Sequence, residues 1–296
     1  MVDWMRTHPE LLIPSDEMRA MLRPTQGPGK AISILYPLYK ERGSSKKIGY
    51  KCPADVRELV SLKNLRDYFP KTKLIVGLRH PVWWFQSFYN YRIRDGLSIP
   101  PPLDCRGPCQ KENWKVCTHN AYFHLFLAQL GQTPVTTRDE KNLLCHYDVE
   151  TLQSLPFNLT RLSAPAPHSI FLYDQTQLDG RKAPDIAEAF RQDLSSYLGL
   201  ATPLPSLQEA TQLIYGRERQ GNRTNNTDNA GNIIIDICDA QYQILRDELV
   251  LIGKDVAEWI VRYFLPLLSH HVHASSPNSF RASLNAYQTD PCQNKK

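Results

Sequence analysis

Residues 73–92, KLIVGLRHPVWWFQSFYNYR, constrain the fold more than any other stretch. Leu74, Ile75, Val76 and Leu78 make a short apolar run with the length and composition of a strand buried on both faces. Arg79 follows, then a His80-Pro81 turn, then an aromatic-rich segment that predicts a helix with Pro81 in its first turn. A strand buried on both sides needs a layer on each side, so the chain is expected to be α/β. SIFLY (169–173) repeats the pattern, followed by the helical segment PDIAEAFRQDLSSYLG. There Ile186, Phe190, Leu194 and Leu198 recur every four residues and Gly199 supplies the stop. Strands alternating with helices predict a mostly parallel sheet covered on both faces.

The remaining segments fit around that frame. VDWMRTHPELL opens with helical spacing that ends near His8. Residues 23–47 are rich in Pro, Gly, Ser and Lys, which predicts a loop with one short strand in ISILYPLY. IGYKCP predicts a strand end, and ADVRELVSLKNLRDYF a helix covering the sheet. The turn-rich residues 97–118 read as an insertion, and NAYFHLFLAQLG as a helix. RERQGNRTNNTDNAGN predicts a long polar loop. Two separate helices are expected around DAQYQILRDELVLIG and DVAEWIVRYFLPLL. Residues 1–268 are expected to form one domain, and 269–296 a flexible C-terminal tail.

Composition narrows the function classes. A chain of 296 residues with 42% hydrophobic and 22% charged residues has the makeup of one globular domain. Its apolar runs fall short of the ~20 residues that cross a bilayer, so no membrane span is expected in it. The net charge of +5 is too mild to point to nucleic acid and suits a polyanionic small molecule. Among seven cysteines, Cys105, Cys109 and Cys117 are close together, but their irregular spacing is unlike the paired ligands of a zinc site. One or two disulfides in a surface insertion fit better, and these need an oxidising compartment. Sequons at Asn158, Asn222 and Asn225 are compatible with secretory passage.

Ligands of such a sheet bind outside the carboxyl ends of its strands, which is where Arg79 is expected. Ser87 follows eight residues later, on a helix whose side chains tilt back toward its N-terminus. A guanidinium and a hydroxyl beside a helix start make a phosphate receptor. The residues alone also allow an arginine salt-bridged at a strand end and a serine facing solvent.

Arg79, Pro81 and Ser87, after a buried strand and before an aromatic helix, resemble the 3′-phosphate-binding element of sulfotransferases that use 3′-phosphoadenosine 5′-phosphosulfate (PAPS). YKCPADV resembles the family's Lys-x-Pro segment, with Lys51 as its lysine. WMRTHPELLIPSDE resembles a segment of the carbohydrate-type and membrane-associated branch, with His8 and Glu17 nine residues apart. SIFLYDQTQL resembles the later strand with its Tyr-acidic pair, Tyr173 and Asp174.

The resemblance implies a P-loop-NTPase-like parallel sheet with helices on both faces. The family's first strand and its P-K-x-G-T-T phosphate loop have no counterpart in this sequence, which is expected of an incomplete gene product or a degenerate member. It also implies PAPS as co-substrate, no metal, and sulfuryl transfer to a hydroxyl or amine of a small-molecule or glycan acceptor. Arg79, Ser87 and Tyr173 would bind the nucleotide, and Arg217 and Arg219 would close over it. Glu17 would be the general base, with His8 as the other residue able to serve. Lys51 would stabilise the moving charge. The Golgi lumen or another secretory compartment is expected, with the cytoplasm left open. A second reading is a non-catalytic protein of the same fold that binds a partner or a sulfated glycan. A third is an unrelated α/β structural protein.

Overall fold

The computed structural model describes residues 1–15, 17–18, 21, 27–42, 46–53, 55–57, 59–109, 116–131, 168–210, 234–265 and 272–293. Its centre is a three-stranded parallel sheet in the order β3-β4-β5, built from Leu74–Leu78, Ile170–Asp174 and Val272–Ala274. Leu74 pairs with Ile170 and Leu78 with Asp174, so β3 and β4 end together. A separate parallel pair joins β1 (Leu11–Leu12) to β2 (Lys47–Ile48). The chain is therefore mixed α/β with two small parallel sheets.

Alternation along β4 explains the layers, because successive strand residues point to opposite faces. Ile170 and Leu172 are packed with α4 (Pro81–Arg94), α7 (Gln243–Trp259) and α8 (Pro277–Ala286) through Val82, Phe85, Leu245, Leu249, Phe280 and Leu284. Phe171 and Tyr173 point the other way, toward Phe190, Leu194 and Tyr197 of α6 (Pro184–Leu198) and Trp4 of α1 (Val2–Arg6). A strand sandwiched in this way reads as a continuous apolar run. The helix ends follow the expected chemistry. His80 is the N-cap of α4 and its Nδ1 accepts from the Val82 N–H at 3.2 Å. Gly199 ends α6 at φ 68°, in the left-handed region that glycine enters without strain.

Four expectations need correction. Residues 27–42 form a helix, α2 (Gly27–Arg42), where a loop was expected. Pro28 suits its first turn, Pro37 removes a single backbone bond, and Ala31, Ile34 and Leu35 still pack against Met18, Met21 and Leu65 of the α3 layer (α3, Leu59–Tyr68). The two expected C-terminal helices are one, α7, which runs through Gly253 and continues into a π turn at Ile260–Phe264. Within the expected flexible tail, residues 272–287 belong to the core: β5 extends the sheet, and Phe280 and Leu284 of α8 are fully buried. Phe280, Leu284 and Tyr287 follow a helical repeat that turn-rich surroundings disguise. The insertion is anchored as well, since Cys105, Val116 and Cys117 are fully buried and α5 (Phe123–Gly131) continues from it.

The disulfides are Cys109–Cys117 within the insertion and Cys238–Cys292, which ties the C-terminal segment to the chain before α7. Both are compatible with an oxidising, secretory setting. Among the described residues no helix is long and apolar enough to cross a membrane.

Candidate functional site

Arg79 leaves β3 at its carboxyl end, one residue before the N-cap of α4. It is half-buried. Burial pushes its guanidinium below the ordinary value, and Asp174 at the end of β4 pulls the other way. Among the described residues no carboxylate lies within ion-pairing distance of it. Ser87 is exposed on α4. Seven residues of helical rise separate it from His80, about 10 Å along the axis.

Asp174 is the acidic centre of this end of the sheet. It is 1% exposed and caps the turn after β4, accepting from the Thr176 N–H at 2.8 Å. The Gln177 side chain accepts in return from the Asp174 N–H at 2.9 Å, which completes a capping box. Its other oxygen accepts from the Tyr287 hydroxyl. Burial raises Tyr287 well above its ordinary value, and the Asp174 charge adds to that, so the phenol stays protonated and donating. His80 completes the group. Its Nε2 lies 3.1 Å from the carbonyls of both Ala286 and Thr289, and burial lowers its pKa. The neutral ring, with its proton on Nε2, meets every partner it faces, because Nδ1 must stay free to accept from Val82.

Lys51 and Glu17 come together as an ion pair at 2.9 Å, both partly exposed. A carboxylate beside an ammonium can take a proton while the ammonium steadies negative charge. His8 is placed differently. It is 3% exposed, its Nε2 lies 3.1 Å from both the carbonyl and the hydroxyl of Thr202, and its Nδ1 accepts from the Glu10 N–H. Both nitrogens are engaged, which makes His8 a tie between the end of α1 and the turn after α6 and leaves no lone pair for an acceptor's proton.

Tyr173 is also a packing residue. Its ring lies 5.4 Å from that of Phe190, burial pushes its phenol up to about 12, and it points to the α6 face, away from Asp174. Its hydroxyl lies over Gly77, where any Cβ would collide with it. Arg217 and Arg219 lie outside the described residues, as do Asn158, Asn222 and Asn225. Among the described residues no group of three or more His, Cys, Asp or Glu side chains is arranged to hold a metal.

Reading the sequence missed Asp174 as the centre of this cluster, and missed His80 and Tyr287. The Asp-x-Thr-Gln turn after β4 is a capping signal that could have flagged Asp174. Tyr287, 113 residues further on, left no local signal. Comparison with protein-family models, curated proteins and solved structures finds no match to this chain.

Proposed function

We propose that the carboxyl end of β3 binds the 3′-phosphate of an adenosine nucleotide through Arg79 and Ser87, and that the chain is a sulfotransferase-like protein. Its donor is PAPS, and its acceptor is a hydroxyl or amine on a small molecule or a glycan. The observation that carries the reading is Arg79: a half-buried guanidinium at a parallel strand's carboxyl end, beside a helix start, with no ion-pair partner among the described residues. An ordinary structural arginine at this depth would be paired, since an unpaired buried charge is costly. A phosphate dianion answers that charge, and the Ser87 hydroxyl adds a neutral donor.

Sulfuryl transfer resembles phosphoryl transfer in depending mostly on positioning and charge stabilisation. Glu17 takes the acceptor's proton, and Lys51, already 2.9 Å from it, holds the negative charge that develops nearby. The two disulfides favour a secretory lumen such as the Golgi. The test is calorimetric titration with 3′-phosphoadenosine 5′-phosphate (PAP) beside ADP. A preference for PAP that disappears in Arg79→Ala supports the reading, and equal affinity for the two nucleotides refutes it.

A second reading has one observation in its favour. Asp174, Tyr287 and His80 already fill much of this end of the sheet, which suits a protein that binds without turning over. Sulfuryl transfer from radiolabelled PAPS to any acceptor excludes it.

A further inference from the structure

The end of α8 and the residues after it lie across the carboxyl ends of β3 and β4, where Arg79 stands. The carbonyls of Ala286 and Thr289 are both bound by His80 Nε2, and the rings of His80 and Tyr287 are 5.3 Å apart. The Tyr287 hydroxyl reaches Asp174, and the hydroxyls of Ser283 and Thr176 are 3.0 Å apart. Tyr287 is 1% exposed, and His80, which holds the Ala286 and Thr289 carbonyls, is the residue directly after Arg79. These contacts are all short-range hydrogen bonds and ring packing. The segment's far end is held more firmly.

Two fasteners hold that far end. Asp290 forms an ion pair with Arg246 at 3.0 Å, with both side chains under a tenth exposed. Arg246 also donates to the carbonyls of Ile237 at 2.6 Å and Asp239 at 2.8 Å. The second fastener is covalent, the Cys238–Cys292 disulfide. Their anchor is rigid, because Ile235 and Ile237 are docked on α4 through Asn90 and Gln86. The two fasteners differ in chemistry. The ion pair is buried, whereas the disulfide, half-buried against the core, is a bond that thiol–disulfide exchange can open.

We propose that residues 286–292 are a redox-latched strap over the nucleotide end of the sheet, and that opening Cys238–Cys292 exposes Arg79. The inference rests on the reading of Arg79 as the 3′-phosphate ligand. The reductant is a dithiol. One of its thiolates attacks a disulfide sulfur, giving a mixed disulfide and releasing the other cysteine as thiolate. Its second thiol then displaces the remaining cysteine and leaves as a cyclic disulfide. Two electrons pass to the protein, and the two cysteines take up the two thiol protons. Without the covalent tie, the strap keeps one ion pair and its hydrogen bonds.

The experiment is hydrogen exchange on the full chain, oxidised and after dithiothreitol, beside Cys238→Ser/Cys292→Ser and Cys109→Ser/Cys117→Ser double variants. PAP affinity is measured in each state. The latch predicts that amides of Tyr287–Cys292 exchange at least tenfold faster in the reduced protein and in the Cys238/Cys292 variant, while Phe171 and Leu172 of β4 stay protected. It predicts no such change in the Cys109/Cys117 variant, and PAP affinity about tenfold higher once the latch is open. Unchanged exchange at Tyr287–Cys292 overturns it. Loss of protection throughout β4 also overturns it, because the bond would then simply support the fold. A loosened strap with unchanged PAP affinity refutes the gating. A loosened strap with no PAP binding in any state supports the strap's release and refutes the nucleotide reading instead.

Discussion

Replacing Gly253 by alanine distinguishes a packed C-terminal segment from a loose one by the sign of a single stability change. Gly253 lies inside α7, where glycine costs about 1 kcal/mol relative to alanine. If nothing faced it, Gly253→Ala would therefore stabilise the protein by about that amount. The fold instead seats the backbone of Tyr287 directly against the Gly253 Cα. A Cβ there would collide with the Tyr287 carbonyl oxygen and stand 3.2 Å from its carbonyl carbon and 3.3 Å from its Cβ. Two of these three neighbours are backbone atoms, which cannot rotate aside, and Tyr287 is fixed further by Asp174. Overpacking of this kind costs about 1–3 kcal/mol. Taking the upper part of that range against the helical gain leaves a net loss of about 2 kcal/mol. Urea unfolding followed by far-UV circular dichroism reads this as a lower midpoint at unchanged m-value. A midpoint that rises would show that α8 and Tyr287 do not pack on α7, and would remove the basis for the strap.

Other consequences follow from the same end of the sheet. Arg79→Ala should weaken PAP binding about ten- to a hundredfold by calorimetry, the scale of losing a charge-assisted hydrogen bond, and Ser87→Ala about tenfold or less. Tyr287→Phe leaves the buried Asp174 carboxylate short of a donor and should cost about 1–3 kcal/mol in urea unfolding. His80, His119 and His168 all have pKa values lowered by burial, so the unfolded chain binds more protons than the folded one below its own histidine pKa of about 6.5. Stability should be full above that pH and decline as the pH falls toward the folded-state values. His80→Gln should flatten part of that decline, and a pH-independent midpoint between 7.5 and 5.5 would contradict the placement of these rings.

Local signals carried much of the fold. The apolar runs of β3 and β4, Pro81 at the start of α4, the four-residue repeat of α6 and the Gly199 stop are each decided within a dozen residues, and the structure has all of them. Two of the differences share a cause: glycine and proline break a helix locally, but packing overrides them here. Gly253 looked like the gap between two helices, but it is the point where one continuous helix admits another backbone. Gly27, Pro28 and Pro37 suggested a loop, although α2 gains a buried face on α3. The site divides in the same way. Arg79 could be placed at a strand end because its position depends on its neighbours in sequence. The setting of Asp174, Tyr287 and His80 depends on contacts between residues 80, 174 and 286–289, and no local pattern encodes those. The settings of His8 and Tyr173, held by Thr202 and Glu10 and by Phe190, likewise depend on tertiary contacts that no local pattern encodes.

The most direct test of the central claim is calorimetric titration of the full chain with PAP beside ADP, in the oxidised and reduced states. Arg79 and Ser87 as 3′-phosphate ligands predict at least tenfold tighter binding of PAP than of ADP in the reduced state, and a smaller preference in the oxidised state. Equal binding of the two nucleotides in the reduced state, or binding of neither, would contradict the account.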